Sequence, residues 1–339
     1  IVLYLFLDRV SSAFELYYLL YIPILGLLMA LSLINIGHEL VHRTSKKFDC
    51  EIGNWALATA WNPAFAIEHV YGHHKNIGIV GCGNVGGLLF RTLKALDVNC
   101  HVYDPFLNND DVPLSDFDSV LRCDIVCLHT PLTYDGPFPT HHLFDQNVLN
   151  RLNSSALLIN AGRGDVVDKA ALLRLLNTQS ELQVALDVWS DEPQIDLELL
   201  HKISIGTPHI AGYSREGKIN GTKMIFEAFT EWLPKTVLIE PYEPLNYVEI
   251  ACQRTHSLSE ILLASYNVLD DDLRMRQSLL NISEELGSAE VAAIFDDLRK
   301  TYPTRIQYDW TIISSDGEAF SGEQRDQLQK LGFKLTDNL

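Results

Sequence analysis

The sequence predicts an α/β protein built on a doubly wound parallel sheet (a Rossmann fold), with a smaller α+β C-terminal domain after it and a membrane helix before it. Three observations along the 339-residue chain support this division. Short apolar runs alternate with helical periodicity from residue 76 onward, a long charged helical pattern follows residue 254, and residues 16–36 carry no charge. Strands that alternate with helices at this spacing are typical of parallel sheets covered on both faces.

The N-terminal segment, residues 1–75, differs from the rest of the chain in charge and hydropathy. It carries five Lys/Arg and six Asp/Glu, a net charge of −1, which leaves −17 of the total −18 for residues 76–339. Its run LYYLLYIPILGLLMALSLINI is long enough to cross a bilayer, so we predict a transmembrane helix there. Because the chain starts at Ile1, inside an apolar run, we expect it to lack its natural N-terminus.

Histidines cluster at two places in this segment. HELVH at residues 38–42 matches the H-E-x-x-H signature, which alone would indicate a membrane-embedded zinc protease. A second cluster, EHVYGHH at residues 68–74, raises the number of histidine ligands above what one zinc ion binds. This excess favours a pair of irons. NIGHELVHR and EHVYGHH resemble the first two histidine motifs of the membrane alkane hydroxylase and fatty-acid desaturase family. That resemblance implies iron ligands at His38, His42, His69, His73 and His74.

The second segment, residues 76–235, is predicted to be the Rossmann domain. Its strand candidates in order are NIGIV, NCHVYD, DIVCLHT, ALLINAG and VALDVW, and helical stretches are expected after the first strand and near residues 145–153, 168–177 and 215–233. Prolines then favour a linker over residues 236–254, and residues 255–339 form the smaller α+β domain.

A dinucleotide site is predicted where the first strand ends. Gly81-Cys82-Gly83-Asn84-Val85-Gly86 is G-x-G-x-x-G between a strand and a helix, which is the context in which this motif binds a pyrophosphate. Asp104 ends the second strand, where a carboxylate accepts hydrogen bonds from ribose hydroxyls and repels an extra phosphate. These residues therefore predict NAD as the cofactor.

Three residues further on form a candidate catalytic set. Arg163 follows a strand at the carboxyl edge of the sheet, where a guanidinium can bind a substrate carboxylate with two parallel hydrogen bonds. Glu192 and His209 lie on two later loops. An imidazole can exchange the hydroxyl proton during oxidation, and a carboxylate beside it fixes its tautomer.

Long stretches of residues 76–339 resemble the D-2-hydroxyacid dehydrogenase family: HTPLTYDGPFPTHHLFD, LINAGRGDVVD, ALDVWSDEP and IGTPHIAGYSREGKINGT. FDDLRKTYPTR resembles the C-terminal dimerisation domain of those members that oxidise 4-phospho-D-erythronate at C2, in vitamin B6 biosynthesis. The resemblance implies a homodimer and a phosphorylated 2-hydroxy acid as substrate. It implies that Arg163 and Glu192 act in catalysis and that His209 donates or accepts the proton. It also implies NAD contacts at Asp104, Thr130, Asp187 and Gly212, and substrate contacts at Tyr213 and Arg163.

Composition limits the partners and leaves three hypotheses open. The acidic balance argues against nucleic acid, and six cysteines without C-x-x-C spacing favour a cytoplasmic location for residues 76–339, with residues 1–75 in a membrane. The family has a substrate-binding segment in front of its NAD domain where this chain has residues 1–75, so we expect weaker substrate binding and a lower kcat.

The first hypothesis is therefore an NAD-dependent 2-hydroxyacid dehydrogenase with impaired activity. The alternatives are a membrane di-iron hydroxylase or desaturase fragment, or a non-functional fusion of the two sequences joined near residues 75–78.

Overall fold

The computed structural model describes residues 76–108, 111–179, 181–219, 221–222, 225, 247–253, 255–280, 286–315 and 320–336. All of these belong to one compact unit, Asn54–Leu339. The predicted transmembrane helix and the five predicted iron ligands lie outside the described residues. Across the residues that are described, no helix combines the length and the low charge needed to cross a bilayer. Those same residues hold no group of three metal-ligating side chains.

The larger part is a six-stranded parallel sheet flanked by helices, which confirms the predicted Rossmann-like fold. Its strands are β1 (Ile77–Val80), β2 (Cys100–Tyr103), β3 (Ile125–Leu128), β4 (Leu157–Asn160), β5 (Gln183–Leu186) and β6 (Ile205–Gly206). Its helices are α1 (Asn84–Ala95), α2 (Phe117–Leu121), α3 (Gln146–Leu149), α4 (Lys169–Leu176) and α5 (Leu197–Lys202). The order of the strands is β2-β1-β3-β4-β5-β6.

The strand order places a crevice at the carboxyl end of β1. β1 pairs with β2 on one side and with β3 on the other. The chain therefore crosses to one side of β1 to form β2, and then crosses back to the opposite side of β1 to form β3. Open α/β sheets bind ligands at such a reversal point. β1, β3 and β4 are buried along their whole length, because helices cover both faces of a parallel sheet. This burial explains why these strands are near-continuous apolar runs.

Aspartates start four of the helices that cover the sheet. Their side chains accept hydrogen bonds from backbone N–H groups of the first turn, which have no partner within the helix. The four capping residues are Asp116, Asp145, Asp168 and Asp196. Part of the acidic excess of the chain therefore serves to begin helices.

In the smaller part, the described residues form a three-stranded parallel sheet and four helices. The strands are β7 (Val248–Cys252), β8 (Thr311–Ser315) and β9 (Lys334–Thr336), in the order β7-β8-β9. The helices are α6 (Leu258–Ser265), α7 (Val268–Leu279), α8 (Ser288–Lys300) and α9 (Gly322–Lys330). The predicted linker over residues 236–254 is wrong for residues 248–252, which form β7. The prolines that suggested a linker stop at Pro244, so the chain after them is free to pair with β8.

The two parts share apolar cores and hydrogen bonds. Ile261 and Ile313 belong to the same buried cluster as Ile79, and Phe295 belongs to the cluster that contains Leu200. Helix α7 is also tied to the end of the larger sheet by polar groups, because the Gly206 N–H donates to the Asp272 carboxylate at 2.7 Å. The smaller part therefore packs directly on the larger part.

Candidate active site

The glycine turn after β1 has the geometry that a bound dinucleotide needs. Gly81 has a φ of +86°, a left-handed conformation that favours glycine. A Cβ on Gly86 would lie 2.0 Å from the Gly81 carbonyl oxygen, whereas a Cβ on Gly83 would meet no atom within 4 Å. Gly86 therefore permits the close packing of helix α1, and Gly83 faces open space. Asn84 and Val85 open α1, whose first N–H groups form the type of helix end that binds phosphate.

Asp104 fixes this turn against the end of β2. Its carboxylate accepts hydrogen bonds from the backbone N–H of Cys82 at 2.8 Å and of Phe106 at 3.0 Å. Each carboxylate oxygen can accept more than one hydrogen bond. Asp104 can therefore still accept hydrogen bonds from ribose hydroxyls.

Polar atoms without partners line the other side of the turn. Thr130 Oγ1 and both ring nitrogens of His129 are buried and have no hydrogen-bond partner among the described residues. Burial lowers the pKa of His129 to about 4, so the ring is neutral at physiological pH. A Cβ on Gly81 would come within 2.9 Å of the His129 backbone carbonyl and of the Thr130 side chain, so the Thr130 hydroxyl is the orphaned group that lies against the turn. A buried hydroxyl without a partner beside this glycine turn fits a polar cofactor such as NAD.

Glu192 and His209 form a short pair at the carboxyl edge of the sheet. Glu192 Oε2 lies 2.7 Å from His209 Nδ1, and Glu192 Oε1 accepts the Trp189 N–H at 2.7 Å. Burial alone would raise the pKa of Glu192, but the hydrogen bond with His209 and the charge on that ring bring the pKa below its usual value. Glu192 is therefore a carboxylate that orients the imidazole. His209 has a φ of +53°, a conformation that non-glycine residues rarely adopt without support.

The support comes from both sides of the turn that follows His209. Asp187 is wholly buried, and its carboxylate accepts the N–H groups of Ile210 and Ala211 at 2.8 and 3.0 Å. The Arg305 guanidinium, from the smaller part, donates to the carbonyls of the same two residues at 2.9 and 2.6 Å. Asp187, predicted to contact NAD, thus uses its hydrogen bonds to hold the turn that follows His209. Arg305 was not among the predicted site residues.

Arg163 lies on the turn after β4, close to this pair. Its side chain is buried, and Nη1 donates to the Gly162 carbonyl at 2.7 Å. A Cβ on Gly164 would lie 2.1 Å from the backbone of Trp189, so this turn packs closely against the loop that carries Glu192. Burial lowers the pKa of Arg163, and the charge of Glu192 acts in the opposite direction. The structure thus brings all three predicted catalytic residues into one region.

Asn160 was missed from the sequence although it ends β4 in the quoted motif. Its amide donates to the Arg163 carbonyl at 2.9 Å and accepts from the Gly162 N–H at 3.1 Å. This pair of bonds fixes the turn that presents Arg163. A buried asparagine at a strand end could have indicated such a role, because buried amides require partners.

Tyr213 follows the supported turn, just beyond Gly212. Its N–H donates to the Ile210 carbonyl at 2.8 Å, and its ring meets Tyr302 edge-on at 6.0 Å between centroids. Lys218 Nζ lies 4.6 Å from the Tyr213 centroid, and the Arg299 guanidinium lies 5.7 Å away. The predicted substrate contact is thus half-buried and flanked by two cations.

The fold and this site define a nucleotide-binding dehydrogenase of the α/β class. A family profile described as "D-isomer specific 2-hydroxyacid dehydrogenase, NAD binding domain" matches residues 40–211, which is half of the chain. The chain therefore belongs to the D-isomer specific 2-hydroxyacid dehydrogenase family. A second profile, a domain of unknown function (DUF3410), matches residues 241–332. The first match begins upstream of the boundary that the sequence predicts near residues 75–78.

Curated relatives carry a more particular name, erythronate-4-phosphate dehydrogenase. The protein of that name from Saccharophagus degradans is 42% identical over 266 residues, covering 76% of this chain and 67% of the relative. The one from Cellvibrio japonicus is 39% identical over 297 residues, covering 83% of this chain and 78% of the relative.

Solved structures of the family match a smaller share. The NAD-complexed D-isomer specific 2-hydroxyacid dehydrogenase from Lactobacillus delbrueckii ssp. bulgaricus is 28% identical, with a TM-score of 0.41. The match covers 49% of this chain and 56% of that one. D-lactate dehydrogenase with NAD+ from Lactobacillus jensenii is 27% identical, with a TM-score of 0.40. The match covers 46% of this chain and 52% of that one. The chain thus spans about half the length of these solved proteins.

Proposed function

We propose that the chain catalyses the NAD-dependent oxidation of the C2 hydroxyl of 4-phospho-D-erythronate to the 2-oxo acid, a step of vitamin B6 biosynthesis. The observation that carries the proposal is the Glu192–His209 pair at 2.7 Å, held beside Arg163 at the carboxyl edge of a nucleotide-binding sheet. The shared name of the curated relatives supports the substrate.

His209 acts as the general base in this reaction. The ring takes the proton of the C2 hydroxyl, and the resulting imidazolium is stabilised by the Glu192 carboxylate on Nδ1. Arg163 binds the substrate carboxylate and so orients C2. NAD, when bound, supplies the acceptor for the hydrogen that leaves C2 with its electron pair. Gly83, Asp104 and Thr130 would hold the cofactor.

The smaller part is proposed to form the homodimer contact. Leu269 and Leu273 are one turn apart on α7 and are 49% and 54% exposed. Large apolar side chains exposed on one helix face suit a partner surface. Sedimentation of the full chain as a dimer, and of the Leu273→Glu variant as a monomer, would support this contact.

Steady-state assays of the full chain test the proposed reaction. NADH absorbance should rise with 4-phospho-D-erythronate and NAD, and His209→Asn should lower kcat on the order of 100-fold or more. Asparagine is the suitable replacement because it tolerates the left-handed backbone at this position. Formation of NADH at the same rate in the wild type and in His209→Asn would refute the assignment of the base.

A further inference from the structure

Cations gather around two tyrosines next to the catalytic turn. Tyr213 and Tyr302 meet edge-on, and four basic side chains lie over their rings at 4.6 to 5.7 Å from a centroid: Lys218 and Arg299 over Tyr213, and Arg274 and Arg305 over Tyr302. Cation–π contact is favourable, but it does not supply hydrogen-bond acceptors for the N–H groups of each cation.

Two of the four cations already have such partners. Arg305 donates to the carbonyls of Ile210 and Ala211, and Arg274 donates to the Leu298 carbonyl at 3.0 Å. These two guanidiniums hold pieces of the backbone in place, so they are structural components of the fold.

Lys218 and Arg299 are different. Within the described part of the chain, neither the Lys218 ammonium nor the Arg299 guanidinium has a hydrogen bond or an ion pair. A buried Nε without a partner is common to Arg274, Arg299 and Arg305, so the difference lies in the other N–H groups of the guanidiniums. Partial desolvation, followed by the nearby charge of Arg305, lowers the pKa of Lys218. Lys218 is exposed and Arg299 is half-buried, so both cations are accessible to an anionic ligand.

The charge of the whole chain makes this arrangement informative. The chain has 44 acidic and 26 basic residues, so carboxylates to neutralise two cations are abundant. Lys218 and Arg299 nevertheless both lie over the ring of Tyr213, which follows the turn at His209. Arg299 also lies close enough to Glu192 to help lower the pKa of that carboxyl. Their placement beside the reaction centre points to an anionic part of the substrate.

We propose that Lys218 and Arg299, held on the ring of Tyr213, form the subsite for the substrate phosphate. This inference rests on the proposed function and adds the residues that select a phosphorylated 2-hydroxy acid over an unphosphorylated one. A phosphate monoester carries a charge of about −1.5 to −2 and three strong acceptor oxygens, which match an ammonium and a guanidinium without other partners. Arg163 then binds the carboxylate at C1, and the two cations bind the phosphate at C4.

Calorimetric titration of the full chain with NADH present tests the subsite, with inorganic phosphate, 4-phospho-D-erythronate and D-erythronate as probes. Lys218→Met and Arg299→Met should each weaken binding of inorganic phosphate and of the phosphorylated acid about tenfold or more, since each removes a charge-assisted hydrogen bond. Binding of D-erythronate should not change. Lys300→Met, a change of an exposed neighbour on the same helix, is the matched control and should behave as the wild type.

Equal weakening of both acids, or unchanged phosphate binding in both variants, would overturn the subsite. The proposed function can fail separately. If the wild type oxidises no 4-phospho-D-erythronate but phosphate binding still falls in both variants, the subsite stands and the reaction does not. If the wild type turns the phosphorylated acid over and the variants retain its preference for that acid, the reaction stands and the subsite does not.

Discussion

At the end of β3, the buried ring of His129 shows how desolvation alone sets the chemistry of a side chain. Its pKa is lowered to about 4, against about 6.5 for a histidine in an unfolded chain. Between these values the unfolded chain binds a proton that the folded chain does not. The free energy of unfolding therefore falls as the pH drops from about 6.5 to about 4, by about 3 kcal/mol in total.

His129→Leu should remove this pH dependence in the cofactor-free chain. Leucine keeps an apolar group at the site, and no hydrogen bond is lost because the ring nitrogens have no partner among the described residues. Urea unfolding from pH 7 to pH 4 should show the variant gaining stability relative to the wild type as the pH falls. His201→Gln, a change of an exposed ring, is the control. Parallel stability curves for wild type and His129→Leu would contradict the prediction.

The residues that the sequence indicated for catalysis are those that short motifs mark. Arg163, Glu192 and His209 each follow a strand in a quoted motif, and the parallel sheet brings strand ends to one edge. Their roles stay predictions, but their proximity could be expected from the order of elements. Arg305 could not, because it meets Ile210 across 95 residues of chain. Local periodicity gives no information about which distant segment packs on a loop.

At the scale of elements, the strand–turn–helix unit β1–α1 makes a paired prediction about two glycines. Gly86→Ala should lower the free energy of unfolding by about 2 kcal/mol or more, because the new Cβ would lie 2.0 Å from the Gly81 oxygen. Gly83→Ala should leave stability nearly unchanged, since its Cβ meets nothing within 4 Å. It should weaken NAD binding about tenfold or more by blocking the approach of the pyrophosphate.

Thermal unfolding together with calorimetric titration of NAD separates the two effects. A Gly83→Ala chain that binds NAD as tightly as the wild type would mean that the cofactor does not approach this turn. A Gly86→Ala chain of wild-type stability would mean that α1 can move away from the turn freely.

The turn after His209 leads to a second prediction at this scale. Arg305→Met removes the guanidinium that donates to the carbonyls of Ile210 and Ala211. The Ile210 carbonyl keeps the Tyr213 N–H, but the turn that follows His209 loses its contact with the smaller part. We expect kcat to fall on the order of 10- to 100-fold, with the Kd for NADH nearly unchanged, because misplacing a catalytic group affects the reacting state most. Arg305→Lys should recover part of the loss.

Arg274→Met is the matched control for Arg305. Arg274 lies over the same Tyr302 ring but donates to Leu298, away from the turn. If Arg305→Met changes only thermal stability and keeps the wild-type kcat, then Arg305 has no positioning role.

The elements themselves were predicted unevenly. The alternation of buried strands and helices reveals β1 to β5 because period and burial are local properties. The linker prediction was wrong for β7, whose burial is weak because it is an edge strand. The charged pattern after residue 267 indicated helix, and the structure divides it into α7 and α8.

At the scale of the whole molecule, α7 connects the two sheets. Arg276 donates to the carbonyls of Leu200 and Ile203 at 2.7 and 3.0 Å and pairs with Asp272 on the preceding turn. Asp272 in turn accepts the Gly206 N–H. Because these bonds and the shared cores cross between the two parts, we expect both parts to unfold together.

Hydrogen–deuterium exchange in increasing denaturant tests this coupling. Peptides from β4 and β8 should lose protection at the same urea concentration in the wild type. In Arg276→Met, β8 should lose protection first. Lys202→Met, which removes only a surface ion pair with Glu198, should leave the two transitions together. Coincident transitions in Arg276→Met would show that the apolar contacts alone couple the parts.

The central claim is that this chain is an NAD-dependent 2-hydroxyacid dehydrogenase whose cofactor lies in the crevice at the end of β1. Fluorescence titration of the full chain with NADH tests it most directly. The account predicts saturable binding of one NADH per chain. An absence of saturable binding, in a chain that hydrogen exchange shows to be folded through β1 and β3, would contradict it.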